Sequence, residues 1–233
     1  MVLLQVGINF MSKTILIVAA HADDEALGCG GTIARHVAEG DTVHVVFLAD
    51  GVSSRQGVDS QELECRLGAT EHARQVLGIK TTTFLGLPDN RLDSLPLIEI
   101  IRLFEQVIRQ INPQTIYTHH YGDLNIDHRI AHQTVMTACR AAPESSVREI
   151  LTFEVMSSTE WSSVGLAPFL PSLFVDISAY MAIKLRALDA YALEMRPAPH
   201  SRSLEHLNIL ARHRGHSVGV EAAEAFMVMR MVR

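Results

Sequence analysis

Short continuous apolar runs alternate along this chain with longer stretches in which apolar residues return every three or four positions. TILIVAA (14–20) is a continuous run, the signature of a strand buried on both faces. The Gly30-Gly31-Thr32 turn then leads into a predicted helix over IARHVAE (33–39), which Gly40 stops. TVHVVFLA (42–49), TTTFLG (81–86), QTIYTHH (114–120), REILTFEV (148–155) and LFVDI (173–177) read as further strands. Helices are predicted over 61–77, 96–111 and 127–142, from about Ser178 to Glu194, and through the C-terminus beyond the Pro197/Pro199 break. In the first of these, Leu63, Leu67, Thr70, Ala73 and Leu77 share one face and Gly78 ends the helix.

Such alternation predicts βαβ units: an α/β chain with a mostly parallel, Rossmann-like sheet and helices on both faces. No repeat, low-complexity tract or linker interrupts it, so residues 14–233 are read as a single domain behind an N-terminal extension of residues 1–13. The opening MVLLQVGINF lacks the basic residues and small cleavage-site residues of a signal peptide.

Composition narrows the function classes. The 233 residues are 48% hydrophobic and 20% charged, which excludes a disordered chain. A net charge of −6, spread along the length, argues against nucleic acid as a partner, because phosphate binding needs a basic face. No apolar run approaches the ~20 residues of a membrane helix. The three cysteines stand at unrelated spacings, which predicts neither disulfides nor a zinc knuckle and points to a cytoplasmic protein.

Ligands of such folds sit beyond the carboxyl ends of the strands, and there the polar residues gather. The first strand runs directly into His21-Ala22-Asp23-Asp24-Glu25. His21 and Asp24, three apart in a turn, can aim an imidazole and a carboxylate at one ion, while Asp23 points elsewhere and can act as a general base. A second cluster, Thr118 to His128, holds five His or Asp among eleven residues at the end of another strand. One ligand from it would complete a three-ligand site and leave a coordination position for water. Outside these clusters, Asp50 and the loop of Ser53, Ser54 and Arg55, then Asp89, Asn90 and Arg91, and the proline-stiffened Arg196 to Arg202 loop with His200 are substrate-side candidates. Trp161, alone in SSTEWSS, reads as a partly buried anchor, with sugar stacking as the alternative.

The segment AAHADDEALGCGGTIARH resembles the zinc-binding signature of the LmbE-like/PIG-L deacetylases, with Ala22 where that family usually has proline. NIDH (125–128) is similar to the family's second motif, and LGLPDN (85–90) fits as well. The resemblance runs from about residue 14 to at least 142. It implies one Zn2+ per chain, or another divalent metal, held by His21, Asp24 and His128, with Asp23 as general base. It implies that Asp127 hydrogen-bonds a neighbouring imidazole or orients the site. Where relatives commonly carry His three residues before the last ligand, this chain has Asn125; either Asn125 or His120 would then steady the oxyanion. Arg55, Asp89, His120, His200 and Arg202 are the expected substrate contacts.

The function so implied is removal of an acetyl group from an N-acetylated amino sugar, free, nucleotide-linked or in a glycoconjugate precursor, by a chain that assembles as a homo-oligomer. The competing readings are an amidase for a larger acyl group and a non-catalytic metal binder.

Overall fold

A computed structural model describes residues 12–51 and 60–233. Arg55, with Ser53 and Ser54, lies outside the described residues, as do residues 1–11. Seven strands form one sheet: β1 (Thr14–Ala19), β2 (Thr42–Ala49), β3 (Thr81–Leu87), β4 (Thr115–His119), β5 (Glu149–Phe153), β6 (Leu173–Asp176) and β7 (Ala223–Met231). Their spatial order is β3-β2-β1-β4-β5-β7-β6; the first five are parallel, and β7 is antiparallel to both neighbours. The helices are α1 (Asp24–Ala38), α2 (Ser60–Leu77), α3 (Leu97–Ile111), α4 (Ile126–Ala138), α5 (Met181–Ala190) and α6 (Leu204–His216).

The continuous apolar run of β1 is explained by two cores. Ile15, Ile17 and Ala19 pack on one face with Leu27 and Ile33 of α1, Ala73 and Leu77 of α2, Leu188 of α5 and Leu207 of α6. Leu16 and Val18 pack on the other with Ile100 and Phe104 of α3 and Ala131 and Val135 of α4. The chain winds outward from β1 to β3, then returns to lay β4 on the other side of β1. The loops after β1 and β4 therefore diverge at the switch point of the sheet, where a crevice opens.

Three sequence expectations are corrected. The first helix starts at Asp24 rather than after Gly31, so the His-Asp-Asp-Glu segment is the entry to a helix. Leu63 and Leu67 of α2 are exposed, and only Thr70, Ala73 and Leu77 of the predicted face are buried. The C-terminus is not helical throughout. After α6, residues 223–231 form β7, inserted between β5 and β6. Its Ala, Glu and Met residues favour helices in isolation, but pairing on both edges outweighs that preference.

Helix α1 is broken at Cys29 (φ −147°, ψ 23°). A regular helix would bond Gly31 N–H to the Leu27 carbonyl. Here Gly31 N–H and Thr32 N–H donate to the Glu224 carboxylate at 3.0 and 2.7 Å, and Lys184 Nζ donates to the Leu27 carbonyl at 2.8 Å. Lys184 and Glu224 are 4% and 5% exposed and pair at 2.5 Å, so a buried ion pair occupies the gap in the helix. Glycine is required at the break: a Cβ on Gly28 would lie 2.3 Å from Phe153, and one on Gly31 2.7 Å from Ile177.

Removing one partner of this pair strands the other charge. Lys184→Met or Glu224→Leu is expected to destabilise the fold by about 3 kcal/mol in urea unfolding. The double variant Lys184→Met/Glu224→Leu should lose less than the two single losses combined, because it leaves no buried charge without its counter-charge. Additive losses would show that the pair does not act as a unit.

Candidate active site

The loops leaving β1 and β4 meet at the switch point with their titratable residues turned inward. Asp23 caps α1 with its carbonyl, which accepts from Ala26 and Leu27 N–H at 3.1 and 2.9 Å, and its own φ is +128°. That backbone is strained for a residue with a Cβ. It is held by the buried Glu25, whose carboxylate accepts from Asp23 N–H at 3.0 Å and from the Tyr191 hydroxyl at 2.7 Å. Burial pushes the Glu25 carboxyl up to about 7.

Asp24 is the hub. Its Oδ2 lies 3.3 Å from His21 Nδ1, 3.4 Å from His128 Nε2 and 3.5 Å from His119 Nε2, at 1% exposure. Burial disfavours its charge, but the fields of His128 and His119 and hydrogen bonds from His128 and His21 hold the carboxyl well below its usual range. His21 Nε2 meets Asp89 Oδ1 at 3.0 Å and Asp127 Oδ2 at 3.1 Å. Asp127 also accepts from Asn90 and Leu92 N–H, at 2.7 and 3.1 Å. His128 Nδ1 lies 3.2 Å from Asp123 Oδ1, and Asp123 accepts from Thr159 Oγ1 at 2.6 Å, from Asn125 N–H at 2.8 Å and from Ser158 Oγ. Burial works against both imidazolium forms, yet the surrounding carboxylates raise His21 well above its usual value and His128 to about 9. Burial and the charge of His128 keep His119 neutral; it stacks on His128 at 3.9 Å and accepts from Ala20 N–H at 2.9 Å.

The donors of His21, Asp24 and His128 lie within 4.8 Å of one another. Ligands about 2.0–2.1 Å from a tetrahedral ion stand about 3.3–3.4 Å apart, whereas a charge-assisted N–H···O bond is about 2.7–2.9 Å. The observed 3.3 and 3.4 Å leave room for one ion shared by the three donors. Carboxylates on the far nitrogens of both rings would orient them as metal ligands. His21 also groups with Asp89 and Asp127, through the nitrogen that faces away from Asp24. A third grouping, His36, Glu39 and Asp41, is engaged in its own contacts with Tyr117 and Arg35.

A polar cavity of about 500 Å³ opens over this set, lined among others by His21, Asp23, Arg66, Asn125, His128 and Arg202. Asp23 is 2% exposed, and its Oδ2 pairs with Arg202 Nη1 at 3.0 Å. Burial raises the Asp23 carboxyl to about 6, against the pull of Arg202. Asn125 caps α4 by accepting from Asp127 N–H at 2.8 Å, while its Nδ2 donates to Asn90 Oδ1 at 3.2 Å. Asp89 is 4% exposed and holds His21 as well as lining the cavity.

Two expected substrate contacts are placed differently. His120 is buried and turned away, with Nε2 2.8 Å from the Ala167 carbonyl, so the structure does not bring it to the cavity. His200 stands at the rim, where its ring packs against Trp161, itself 51% exposed. Residues that sequence reasoning passed over also build the site. Arg66 of α2 donates to the Ala22 carbonyl at 2.9 Å and to Glu194 Oε1 at 2.8 Å. Nothing in its helical pattern marks it. Asp123 was visible only as one member of the His/Asp-rich segment.

At the switch point of this doubly wound sheet stands a His/Asp/His donor set that could hold a divalent ion, with a further carboxylate beside it. The chain belongs to the PIG-L (LmbE-like) deacetylase family: residues 16–139 match the family model described as GlcNAc-PI de-N-acetylase. An uncharacterized deacetylase of Escherichia coli, YaiS, is 32% identical over 182 residues, covering 76% of this chain and 89% of its own. A 1D-myo-inositol 2-acetamido-2-deoxy-α-D-glucopyranoside deacetylase of Mycolicibacterium smegmatis is 27% identical over 253 residues, with 86% of each chain covered. Among solved structures, the conserved protein TT1542 of Thermus thermophilus superposes with a TM-score of 0.76 at 26% identity, covering 95% of this chain and 96% of its own. A 4-carboxy-2-hydroxymuconate hydratase of Pseudomonas putida shares the fold at TM-score 0.75 and 22% identity, covering 95% and 98%, so the fold alone does not choose the reaction.

Asp23 combines strain with a carboxylate, and substitution separates the two. Asp23→Gly and Asp23→Ala both leave Arg202 without its partner, but only glycine accepts φ +128° freely. The glycine variant should be the more stable by about 1 kcal/mol or more in thermal or urea unfolding. Equal stabilities would mean that the backbone at Asp23 is relaxed.

Proposed function

We propose that this protein is a zinc-dependent N-deacetylase acting on an N-acetylated amino sugar. The observation that carries the reading is the juxtaposition of Asp23 with His21, Asp24 and His128 on the floor of one polar cavity. Zinc suits the mixed imidazole and carboxylate donors better than the harder cations, which favour oxygen alone. Bound there, it would polarise the amide carbonyl and make water acidic enough to attack at neutral pH.

The remaining work falls to side chains of this chain. Asp89 and Asp127 accept from the Nε2–H of His21, which would leave its Nδ1 lone pair free for the ion. Asp123 does the same for His128 through its Nδ1. Asp23 accepts the proton of the attacking water and delivers it to the departing amine, so that acetate and a free amino sugar result. Arg202 fixes the Asp23 carboxylate in place through Oδ2. Asn125, on the wall, donates one Nδ2 hydrogen to Asn90 and would offer the other to the developing oxyanion as a neutral donor. Membership in a deacetylase family, and a curated relative whose substrate is an acetamido sugar joined to inositol, support the sugar over other amides.

One observation favours a second reading. A largely apolar cavity of about 370 Å³, lined by Cys65, Gly68, Ala69, Ala192 and Leu193, adjoins the polar one across Arg66 and Glu194. It could take an acyl group longer than acetyl. The acid released distinguishes the two.

The test is metal content and acid release on one purified sample, metal-stripped against zinc-loaded, across N-acetylamino sugars and longer-chain N-acyl analogues. About one zinc per chain with zinc-dependent acetate release is expected. Asp23→Asn should retain zinc and lose roughly 10²- to 10⁴-fold in turnover, the scale of a general base. His128→Ala should lose zinc and activity together. Full activity in Asp23→Asn would remove the base assignment, and full zinc in His128→Ala would remove the ligand assignment.

A further inference from the structure

The SSTEWSS stretch after β5 opens with three consecutive hydroxyl residues, and each is bonded into the surroundings of the His/Asp cluster. Ser158 and Thr159 are 4% and 7% exposed. Thr159 Oγ1 accepts from Val155 N–H at 2.8 Å, which leaves its one proton for Asp123 Oδ2 at 2.6 Å. Ser158 Oγ accepts from Asn125 N–H at 3.3 Å and donates its own proton to Asp123 Oδ1. Both oxygens of Asp123 are thereby fixed, and Oδ1 is the atom that faces His128 Nδ1 at 3.2 Å.

Ser157 reaches the other side of the cavity. Its Oγ accepts from Arg202 Nε at 3.0 Å, and Arg202 Nη1 donates to Asp23 Oδ2 at 3.0 Å. The Ser157 backbone is left-handed, at φ +67°, a conformation that costs a side-chain-bearing residue free energy unless its surroundings hold it. The exposed Glu160 does so, accepting from Ser157 N–H at 2.7 Å and from Ser158 N–H at 3.2 Å. Thr159 N–H, bonded to the Val155 carbonyl at 2.9 Å, closes the turn from its other end. Three adjacent residues therefore reach His128 through one carboxylate and Asp23 through one guanidinium.

Resting on the zinc deacetylase reading, we infer that Ser157-Ser158-Thr159 is a positioning turn that fixes the base relative to the metal ligands. Ser158 and Thr159 act on His128 through Asp123, and Ser157 acts on Asp23 through Arg202. Partners in the outer shell of a metal site change its affinity by roughly 10- to 100-fold when removed. A displaced base costs turnover and leaves the metal in place. The two arms of the turn are chemically separate, so they are expected to move different quantities. Glu160, which holds the turn itself, is expected to move both.

Metal-stripped full-length protein would be titrated with Zn2+ against a chromophoric chelator, and zinc-saturated protein assayed for acetate release from its best N-acetylamino sugar. Thr159→Val keeps the branched shape without the hydroxyl and should weaken zinc binding about tenfold or more. Thr159→Ser should restore most of that loss, and the visible spectrum of cobalt-loaded Thr159→Val should differ from that of the cobalt-loaded wild type. Ser157→Ala should hold zinc as tightly as the wild type and lower kcat about tenfold with KM nearly unchanged. Glu160→Ala, at an exposed position, should weaken zinc binding and lower kcat together. Wild-type zinc affinity in Thr159→Val, or a loss that serine does not restore, would overturn the Asp123 arm. An unaltered kcat in Ser157→Ala would overturn the Asp23 arm, and a Glu160→Ala variant that moves neither quantity would overturn the turn as a unit. Weakened zinc in Thr159→Val, restored by serine, in a protein that releases no acid would keep the Asp123 arm. It would overturn the deacetylase reading and the Asp23 arm that depends on it.

Discussion

A buried carboxylate with three imidazoles around it sets the terms for the rest of this molecule. Asp24 sits at the start of α1, almost without solvent, and a charge in that position is tolerated only if every neighbour is turned toward it. His21, His119 and His128 supply that ring, and Asp89, Asp123 and Asp127 hold the outer edges of two of them. The outer carboxylates are in turn held by backbone N–H groups and by Ser158 and Thr159. The result is a buried carboxylate facing imidazole nitrogens whose far edges are held by carboxylates, a layout that suits a divalent cation once the rings are neutral.

This arrangement depends on parts of the chain far from the two motifs. The family match ends at residue 139, yet the support comes largely from beyond it. Tyr191 holds Glu25, which holds the strained backbone of Asp23. Arg202 holds the Asp23 side chain, and Arg66 ties the Ala22 carbonyl to Glu194. Lys184 and Glu224 stand in the broken helix one turn beyond the site, so the last strand of the sheet is bonded into the first helix. The C-terminal third is thus a brace for the His/Asp cluster as well as cover for the sheet. Around the charged centre the surroundings divide by polarity, with a largely apolar cavity across Arg66 and Glu194 and one lined mostly by polar and charged side chains across Arg202.

Much of the fold was legible in the chain. Five parallel strands and four helices follow from apolar runs and helical periodicity, most plainly at β1, which is covered on both faces and apolar from Ile15 to Ala19. His21, Asp23, Asp24 and His128 stood out because dense charge at strand ends is costly without a purpose. Other features were hidden for physical reasons. Strand β7 is written in helix-forming residues, and pairing with two other strands overrides their preference. The start of α1 was misplaced because the helix is broken and its broken bonds are met by residues 184 and 224, over 150 positions away.

The sequence by itself determined the layered architecture, the edge of the sheet where the titratable residues gather and which residues those are, since local patterning and composition encode these. Only the tertiary structure decided which of those residues face one another. It turned His120 toward a carbonyl instead of the cavity, brought Arg66 and Arg202 onto the site, and left Trp161 open beside it. Side-chain direction at the end of a strand or in a loop is set by whatever packs against it, and those partners lie elsewhere in the chain, beyond the reach of any local pattern.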